Sequence, residues 1–323
     1  MPALPETRSR TAIAVDAAQE ADQKPRHGYR LPAGGVNAPC DRQIWLSFRW
    51  ATAPEVFTAK TLRIFETGRE YERRVMRWLA QGGLSIVEYE GVKDDGTPKQ
   101  IGVSFAQGHG YGFLDGEATN VPDAPAVVHV VEVKSHNAKS WAALKARGVE
   151  ASKPEHYGQF QMYMHRRGLN RAVYAAVCKD SDEFDTWRIE YDLEFCTRLE
   201  LRAERIAFAD HPPARVSEDP TRYPCTFCRQ APICHRQAWP ETNCRTCLFI
   251  TATKGGGWLC ERLQVELTRE EQELGCGSHL YLPSLVPGEQ IDAAPDGSWV
   301  DYRLNDGTIF RNQPTTEGEA HVE

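Results

Sequence analysis

Residues 110–135 read GYGFLDGEATNVPDAPAVVHVVEVKS. The runs YGFLDGEA and VVHVVEVKS are rich in β-forming residues and are separated by Asn, Asp and Pro, the pattern of two strands joined by a loop. Asp115 then falls at the end of one strand and Glu132-Val133-Lys134 on the next. Successive strand side chains alternate between faces, so Glu132 and Lys134 share one face while Val133 turns to the opposite, apolar side. Two carboxylates and one ammonium can meet at one point. The surrounding run VVHVVEVK is apolar, and charge is costly to bury there unless a metal or a counter-charge is present. Carboxylates that hold a divalent ion, with a lysine to orient a bound water, form the grouping that phosphodiester hydrolysis needs. Magnesium suits such oxygen ligands, with manganese as the alternative.

Working outward, APEVFTAKTLRIFETGREYERRVMRWLAQGG carries Leu62, Phe65, Val75, Met76 and Leu79 at helical spacing. Pro54 near its start and Gly82 at its end predict one long helix, or two joined at Gly68. LSIVEY and KQIGVSF join the two runs above as strands of one sheet. SWAALKARG and PEHYGQFQMYMHRRG read as helices, AVYAAVCK and TWRIEY as two more strands, and DLEFCTRLELRAERIAFAD as a closing helix. Residues 1–36 lack apolar periodicity and read as a flexible arm. Past His211 periodicity gives way to cysteines, which marks a boundary between 211 and 222.

The chain has 323 residues, 41% hydrophobic and 26% charged, enough for a sizeable core plus a smaller module. No apolar run approaches the length of a membrane span, and the N-terminus lacks a secretory signal, so a cytoplasmic protein is expected. A net charge of -7 argues weakly against nucleic acid, but the charge is uneven. Residues 135–180 hold eight Lys/Arg against three Asp/Glu, whereas residues 261–323 hold four Arg against thirteen Asp/Glu. No phosphate-binding G-x4-G-K-[ST] loop is present, so the chain carries no ATP-driven motor of that type.

The succession G-x-x-D (Gly112 to Asp115), E-x-K (Glu132 to Lys134) and Q-x-x-x-Y (Gln159 to Tyr163) resembles the RecB-type, lambda-exonuclease-like branch of the PD-(D/E)XK nucleases. The match spans roughly residues 40–235 and includes, among its relatives, the AddB-type and CRISPR-associated exonucleases. It implies an α/β (α+β) restriction-endonuclease-like core over 37–211, with a central mixed sheet flanked by helices. By this resemblance Asp115 and Glu132 bind magnesium, with the Val133 carbonyl a further ligand, and Lys134 positions the nucleophile. Gln159 and Tyr163 contact the substrate phosphate or the active-site carboxylates; four residues apart, they share one helix face. The family's first motif sits on the helix before the sheet, where Glu72 is the candidate and Glu70 the alternative. The implied activity is metal-dependent DNA hydrolysis, as an exonuclease, in recombination, repair or phage DNA processing. A recombination or single-strand-binding protein is an expected partner, and for a phage protein the setting is the host cytoplasm. The competing reading is a catalytically silent DNA-binding or assembly protein of the same fold.

Ten cysteines in a cytosolic chain call for a metal reading before a disulfide one. YPCTFCRQAPICH holds Cys225, Cys228 and Cys234, three thiolates that need a fourth ligand. The resemblance implies Cys40 as that ligand and a 4Fe-4S cluster that clasps residues 212–240 to the start of the core. Zinc, with Cys40 or His235 as the fourth ligand, is the alternative. Residues 241–323 add Cys244, Cys247, Cys260 and Cys276, the spacing of a zinc ribbon, with His279 as an alternative to Cys276. Cys178 and Cys196 fall in apolar periodic runs and read as packing residues. His129 falls on the Val133 side of its strand and reads as a core or edge residue. His136 falls on the Glu132 and Lys134 face just past the strand and reads as a solvated loop histidine, with a substrate contact as the alternative; His109 reads as a flexible-loop residue.

Overall fold

The structure is a computed structural model that describes residues 8–314. Along the chain run α1 (Arg10–Ala21), β1 (Leu31–Pro32), α2 (Asp41–Phe48), α3 (Ala59–Gln81), β2 (Ser85–Val87), β3 (Tyr89–Val92), β4 (Pro98–Gln100), β5 (Gly102–Phe105), β6 (Gly110–Phe113), β7 (Gly116–Thr119) and β8 (His129–His136). There follow α4 (Ala138–Ser152), α5 (Pro154–Arg167), β9 (Arg171–Cys178), β10 (Phe184–Glu190) and α6 (Leu193–Ala207). The remainder holds α7 (Ala231–His235), β11 (Ile250–Ala252), β12 (Trp258–Cys260), β13 (Val265–Glu266), α8 (Arg269–Leu274), β14 (Gly288–Ala293), β15 (Val300–Leu304) and β16 (Ile309–Asn312). Among the described residues, no helix is long and apolar enough to cross a membrane.

The chain forms two compact units. Among the described residues the first takes 8–27, 54–102 and 113–192, and the second takes 28–53, 103–112 and 193–314. This division cuts across the expected 37–211 core.

In the first unit five strands lie in the order β10-β9-β8-β7-β2. β8 and β9 are parallel, and the other neighbours are antiparallel. A parallel pair needs a crossover, which α4 and α5 supply. The odd-numbered β8 residues Val131 and Val133 pack with Val173, Ala175 and Val177 of β9 against Val75, Met76 and Leu79 of α3. The even-numbered Glu132 and Lys134 therefore lie on the other face of the strand from that apolar pack, as the alternation predicts. Thr58 caps α3, its hydroxyl accepting from the Thr61 N–H at 3.3 Å, and the helix passes through Gly68 unbroken. α4 breaks at Gly148, whose φ of +72° is a conformation glycine adopts without strain.

Two expectations are corrected here. Residues 1–36 are not wholly an irregular arm: residues 10–21 form α1, capped by Ser9, while residues 1–7 lie outside the described part. α1 has no buried residue, and polar contacts hold it to its unit. Glu20 accepts from the Ala59 N–H at 2.8 Å, and Asp16 pairs with Arg63 at 2.9 Å. Apolar periodicity has no purchase on such a helix. The strands also do not make one sheet. The run YGFLDGEA breaks at Leu114-Asp115, so that β6 pairs with β1 and β5 while β7 pairs with β8 and β2, and β3 with β4 forms a separate hairpin.

The second unit is built around aromatic side chains and two buried arginines, Arg49 and Arg245. Trp45 donates from Nε1 to the Ala209 carbonyl at 2.9 Å, and Arg202 pairs with Asp41 at 2.6 Å, joining α6 to α2. Arg245, fully buried, lies over the rings of Trp50 at 3.8 Å and Trp258 at 4.6 Å. β11, β12 and β13 form one antiparallel sheet and β14, β15 and β16 another. The KGGGW turn joins β11 to β12, and a Cβ on Gly256 would lie 2.4 Å from the Gly108 carbonyl oxygen, so only glycine fits.

Candidate active site

The break at Leu114-Asp115 places the first carboxylate. β7 pairs with β8 as far as Gly116 opposite Val131. Beyond that point the Asp115 side chain takes over the edge of β8: its Oδ2 accepts from the Val133 N–H at 2.7 Å. The Val133 carbonyl projects to the same side of the strand as its N–H. Asp115 thus stands beside both backbone groups of Val133.

Glu132 is 3% exposed. Its Oε1 accepts from Lys134 Nζ at 2.7 Å and from Gln159 Nε2 at 3.0 Å, and its Oε2 is buried with no hydrogen-bond partner. Gln159 also donates to the Tyr163 hydroxyl at 2.9 Å, and that hydroxyl donates to the Phe113 carbonyl at 2.7 Å. The buried face of α5 therefore reaches Glu132 and the strand end before Asp115 at once. Glu72 reaches the group from α3: burial, then the charge of Asp115, pushes its carboxyl up to about 7. Glu70 is turned outward and pairs with Arg73.

Burial also raises the Asp115 carboxyl, against the pull of Lys134 and the Val133 N–H. Burial raises Glu132 as well, and Asp115 adds to it. For Lys134 burial alone would favour the neutral amine, but Glu132, Asp115 and Glu72 outweigh it and hold the ammonium. Three carboxyl groups thus crowd one cation, with more negative charge than Lys134 can neutralise.

Three neighbours escaped the motifs. Tyr174 of β9 sits opposite Glu132 in the parallel register, and its hydroxyl lies 2.8 Å from both His136 Nε2 and His156 Nδ1. His136, expected in a solvated loop, ends β8 and is buried. The parallel pairing that places Tyr174 leaves no local signal in sequence. His156 was legible in principle, since it lies three residues before Gln159 on the same helix. His109 is likewise no mobile loop residue: it is 1% exposed, its Nε2 2.8 Å from the Thr253 carbonyl. His129 is buried, with Nδ1 2.9 Å from the Val127 carbonyl.

None of the ten cysteines is in a disulfide. Cys40, Cys225, Cys228 and Cys234 line one cavity together with His235. Burial raises the Cys225 and Cys228 thiols, and Cys40 and Cys234 raise them further. Cys244 is pushed up to about 12 by burial and by Cys247, Cys276 and Cys260. In both C-x2-C pairs the second N–H donates to the first carbonyl at 3.0 Å. His279 Nε2 instead lies 3.3 Å from the Thr246 hydroxyl. Among the described residues no three or more His, Cys, Asp or Glu are gathered closely enough to hold a metal ion, at the carboxylates or at the cysteines. Cys178 and Cys196 are buried in the interior.

No family model matches the chain, and no curated protein matches it. Among solved structures it is similar to LHK-Exo in complex with dAMP, at 16% identity over 60% of this chain and 90% of that one, with a TM-score of 0.38. The alkaline exonuclease LHK-Exo from Laribacter hongkongensis gives the same identity and coverage with a TM-score of 0.37. SSO0001 is 12% identical over 70% of this chain and 96% of its own, with a TM-score of 0.37.

Proposed function

We propose that this protein is a metal-dependent nuclease of the PD-(D/E)XK kind that hydrolyses DNA phosphodiester bonds, as an exonuclease. The observation that carries this reading is the meeting of Asp115, Glu132, Glu72 and Lys134, with one buried Glu132 oxygen lacking any partner. An unpaired buried carboxylate oxygen is expensive, and a divalent cation relieves it together with the excess negative charge. The oxygen-only donor set suits magnesium or manganese. Asp115, Glu132 and Glu72 would hold the ion, with the Val133 carbonyl on the same edge. Bound there, the ion would polarise the phosphate and lower the pKa of a water.

The chain's own groups do the rest. Lys134, kept cationic by its three acidic neighbours, orients the attacking water and faces the charge that builds on phosphate. Gln159 fixes the Glu132 carboxylate and ties it to Tyr163. The basic stretch 135–180 supplies backbone contacts to DNA, though part of its charge is already spent: Lys145 pairs with Asp185, Arg167 with Glu117 and Arg171 with Glu190. Lys139, Arg147, Arg166 and Lys179 carry the larger share.

The two cysteine groups support a structural role for bound metal, because four thiolates leave no open position for substrate. Cys40, Cys225, Cys228 and Cys234, which line one cavity, would hold a 4Fe-4S cluster, with zinc as the alternative. Cys244, Cys247, Cys260 and Cys276 suit zinc. Cysteines used as metal ligands would suit a reducing compartment such as the cytoplasm.

The test is cleavage of end-labelled duplex and single-stranded DNA with magnesium, manganese or chelator. Wild type should cut only with metal, and Asp115→Ala should not cut. Metal-independent inertness of the wild type on every DNA form, with binding retained, would replace this reading by that of a silent DNA-binding protein.

A further inference from the structure

Behind the carboxylates runs a chain of hydrogen bonds that the proposed chemistry leaves unused. Lys153 Nζ donates to the Ser140 hydroxyl at 2.6 Å, and that oxygen lies 3.0 Å from His136 Nδ1. His136 Nε2 and His156 Nδ1 each lie 2.8 Å from the single hydroxyl of Tyr174. One hydroxyl carries one proton, so it donates to one imidazole and accepts from the other.

The direction follows from the cationic end. A serine oxygen that already accepts from an ammonium is polarised into a better donor, so Ser140 gives its proton to His136 Nδ1. His136 then donates from Nε2 to the Tyr174 oxygen, and Tyr174 donates to His156 Nδ1. Both imidazoles stay neutral: burial first, then the nearby lysines, holds His136 at about 4 and His156 at about 3. A neutral ring that accepts at Nδ1 must carry its proton on Nε2.

Among the described residues His156 Nε2 has no hydrogen-bond partner, and the residue is only half-buried. His156, Gln159 and Tyr163 fall at i, i+3 and i+7 along α5, one face of the helix, and the charge of Lys134 is felt at His156. The three rings are nearly parallel, the His156 plane 29° and the His136 plane 12° from that of Tyr174.

We propose that His156 is a substrate-binding residue whose Nε2–H, fixed as a donor by the Tyr174 hydroxyl, donates to a backbone phosphate oxygen of the nucleic acid beside Lys134. This rests on the nuclease reading and deepens it. The relay makes a neutral donor of fixed direction where a lysine would bring a mobile charge. A neutral donor displaces no counterion, so its removal weakens binding without changing the salt dependence.

The test is anisotropy binding of a short fluorescein-labelled DNA duplex in EDTA across a salt series, alongside magnesium-dependent cleavage and thermal melting. His156→Asn keeps the contact to Tyr174 and loses the Nε2–H; His156→Gln places its amide near the Nε2 position. His156→Asn should weaken binding about tenfold and raise KM more than it lowers kcat, with an unchanged salt slope and melting temperature. His156→Gln should stay within about twofold of wild type. Tyr174→Phe frees the tautomer and should fall between them. Wild-type binding by His156→Asn, or equal loss in His156→Asn and His156→Gln, overturns the inference. A wild type that shows no metal-dependent cleavage, while His156→Asn still weakens binding selectively, overturns the nuclease reading instead.

Discussion

Two acidic residues on strands, one in each compact unit, have been treated in opposite ways. Asp301 of β15 lies opposite Arg311 of β16 in the antiparallel register, and its two oxygens accept from Nε and an Nη of that guanidinium at 2.7 Å each. Arg311 holds this carboxyl below its usual range. Glu132 also faces a cation, but one oxygen is left unpaired and burial drives its pKa up. The first is a finished ion pair whose charge stabilises the fold. The second is charge held in place at a cost, which is how sites for bound ions and chemistry are built.

The largest break in that symmetry should come from the same substitution made twice. Glu132→Gln should cut metal-dependent cleavage by roughly a thousandfold or more, because a neutral amide no longer holds the ion. In EDTA it should leave the melting temperature unchanged or raise it, since a buried charge short of partners is removed. Asp301→Asn should leave cleavage intact and lower the melting temperature by a few degrees, roughly the scale of a modest stability loss in a domain this size. A Glu132→Gln protein that cleaves normally, or an Asp301→Asn protein that melts higher, would remove the distinction.

The contrast also explains what the sequence could tell. Strand alternation needs only neighbours in the chain, so the shared face of Glu132 and Lys134 was legible, as was the Gln159 and Tyr163 stripe on α5. The bond from the Val133 N–H to Asp115 depends on where β7 stops pairing with β8, and Tyr174 arrives through a parallel neighbour far along the chain; both are properties of pairing, not of local pattern. Helix α1 was missed because ion pairs and caps, not apolar residues, fix it. The cut between the two units was hidden for a related reason: β6 and β7 are separated by only Leu114 and Asp115, so a continuous β-rich run passes from one sheet to another.

The cysteine groups stand on the unfinished side of the comparison. Burial and neighbouring thiols raise Cys225, Cys228, Cys244 and Cys247, which release their protons readily only to a metal. Cys244→Ser should therefore lose one zinc per chain and lower the melting temperature by about 10 °C, a larger effect than any single surface ion pair gives. Cys228→Ser should remove iron and visible absorption in the same way, with zinc retained. Elemental analysis of each variant beside wild type checks both, and a wild type with neither metal would place these cysteines with Cys178 and Cys196 as packing residues.

The smallest effect is in the pH dependence, where the two regions should pull in opposite directions. Glu72 lies near 7 in the folded chain against an ordinary 4.5, so the folded state binds more protons between those values. Its contribution is then present below about 4.5 and lost as pH rises through 7, and in EDTA the melting temperature should fall over that window. Asp301 is depressed below its ordinary 3.8, so its contribution is present above that value and lost as pH falls through the lower one. Glu72→Gln should flatten the first slope and Asp301→Asn the second, each leaving the other in place. Magnesium sharpens the contrast, because an ion that binds ionised carboxylates competes with protons at Glu72 and not at Asp301. Its addition should raise the melting temperature most at the alkaline end of the first window and leave the acid slope untouched; equal stabilisation at every pH would separate Glu72 from the ion.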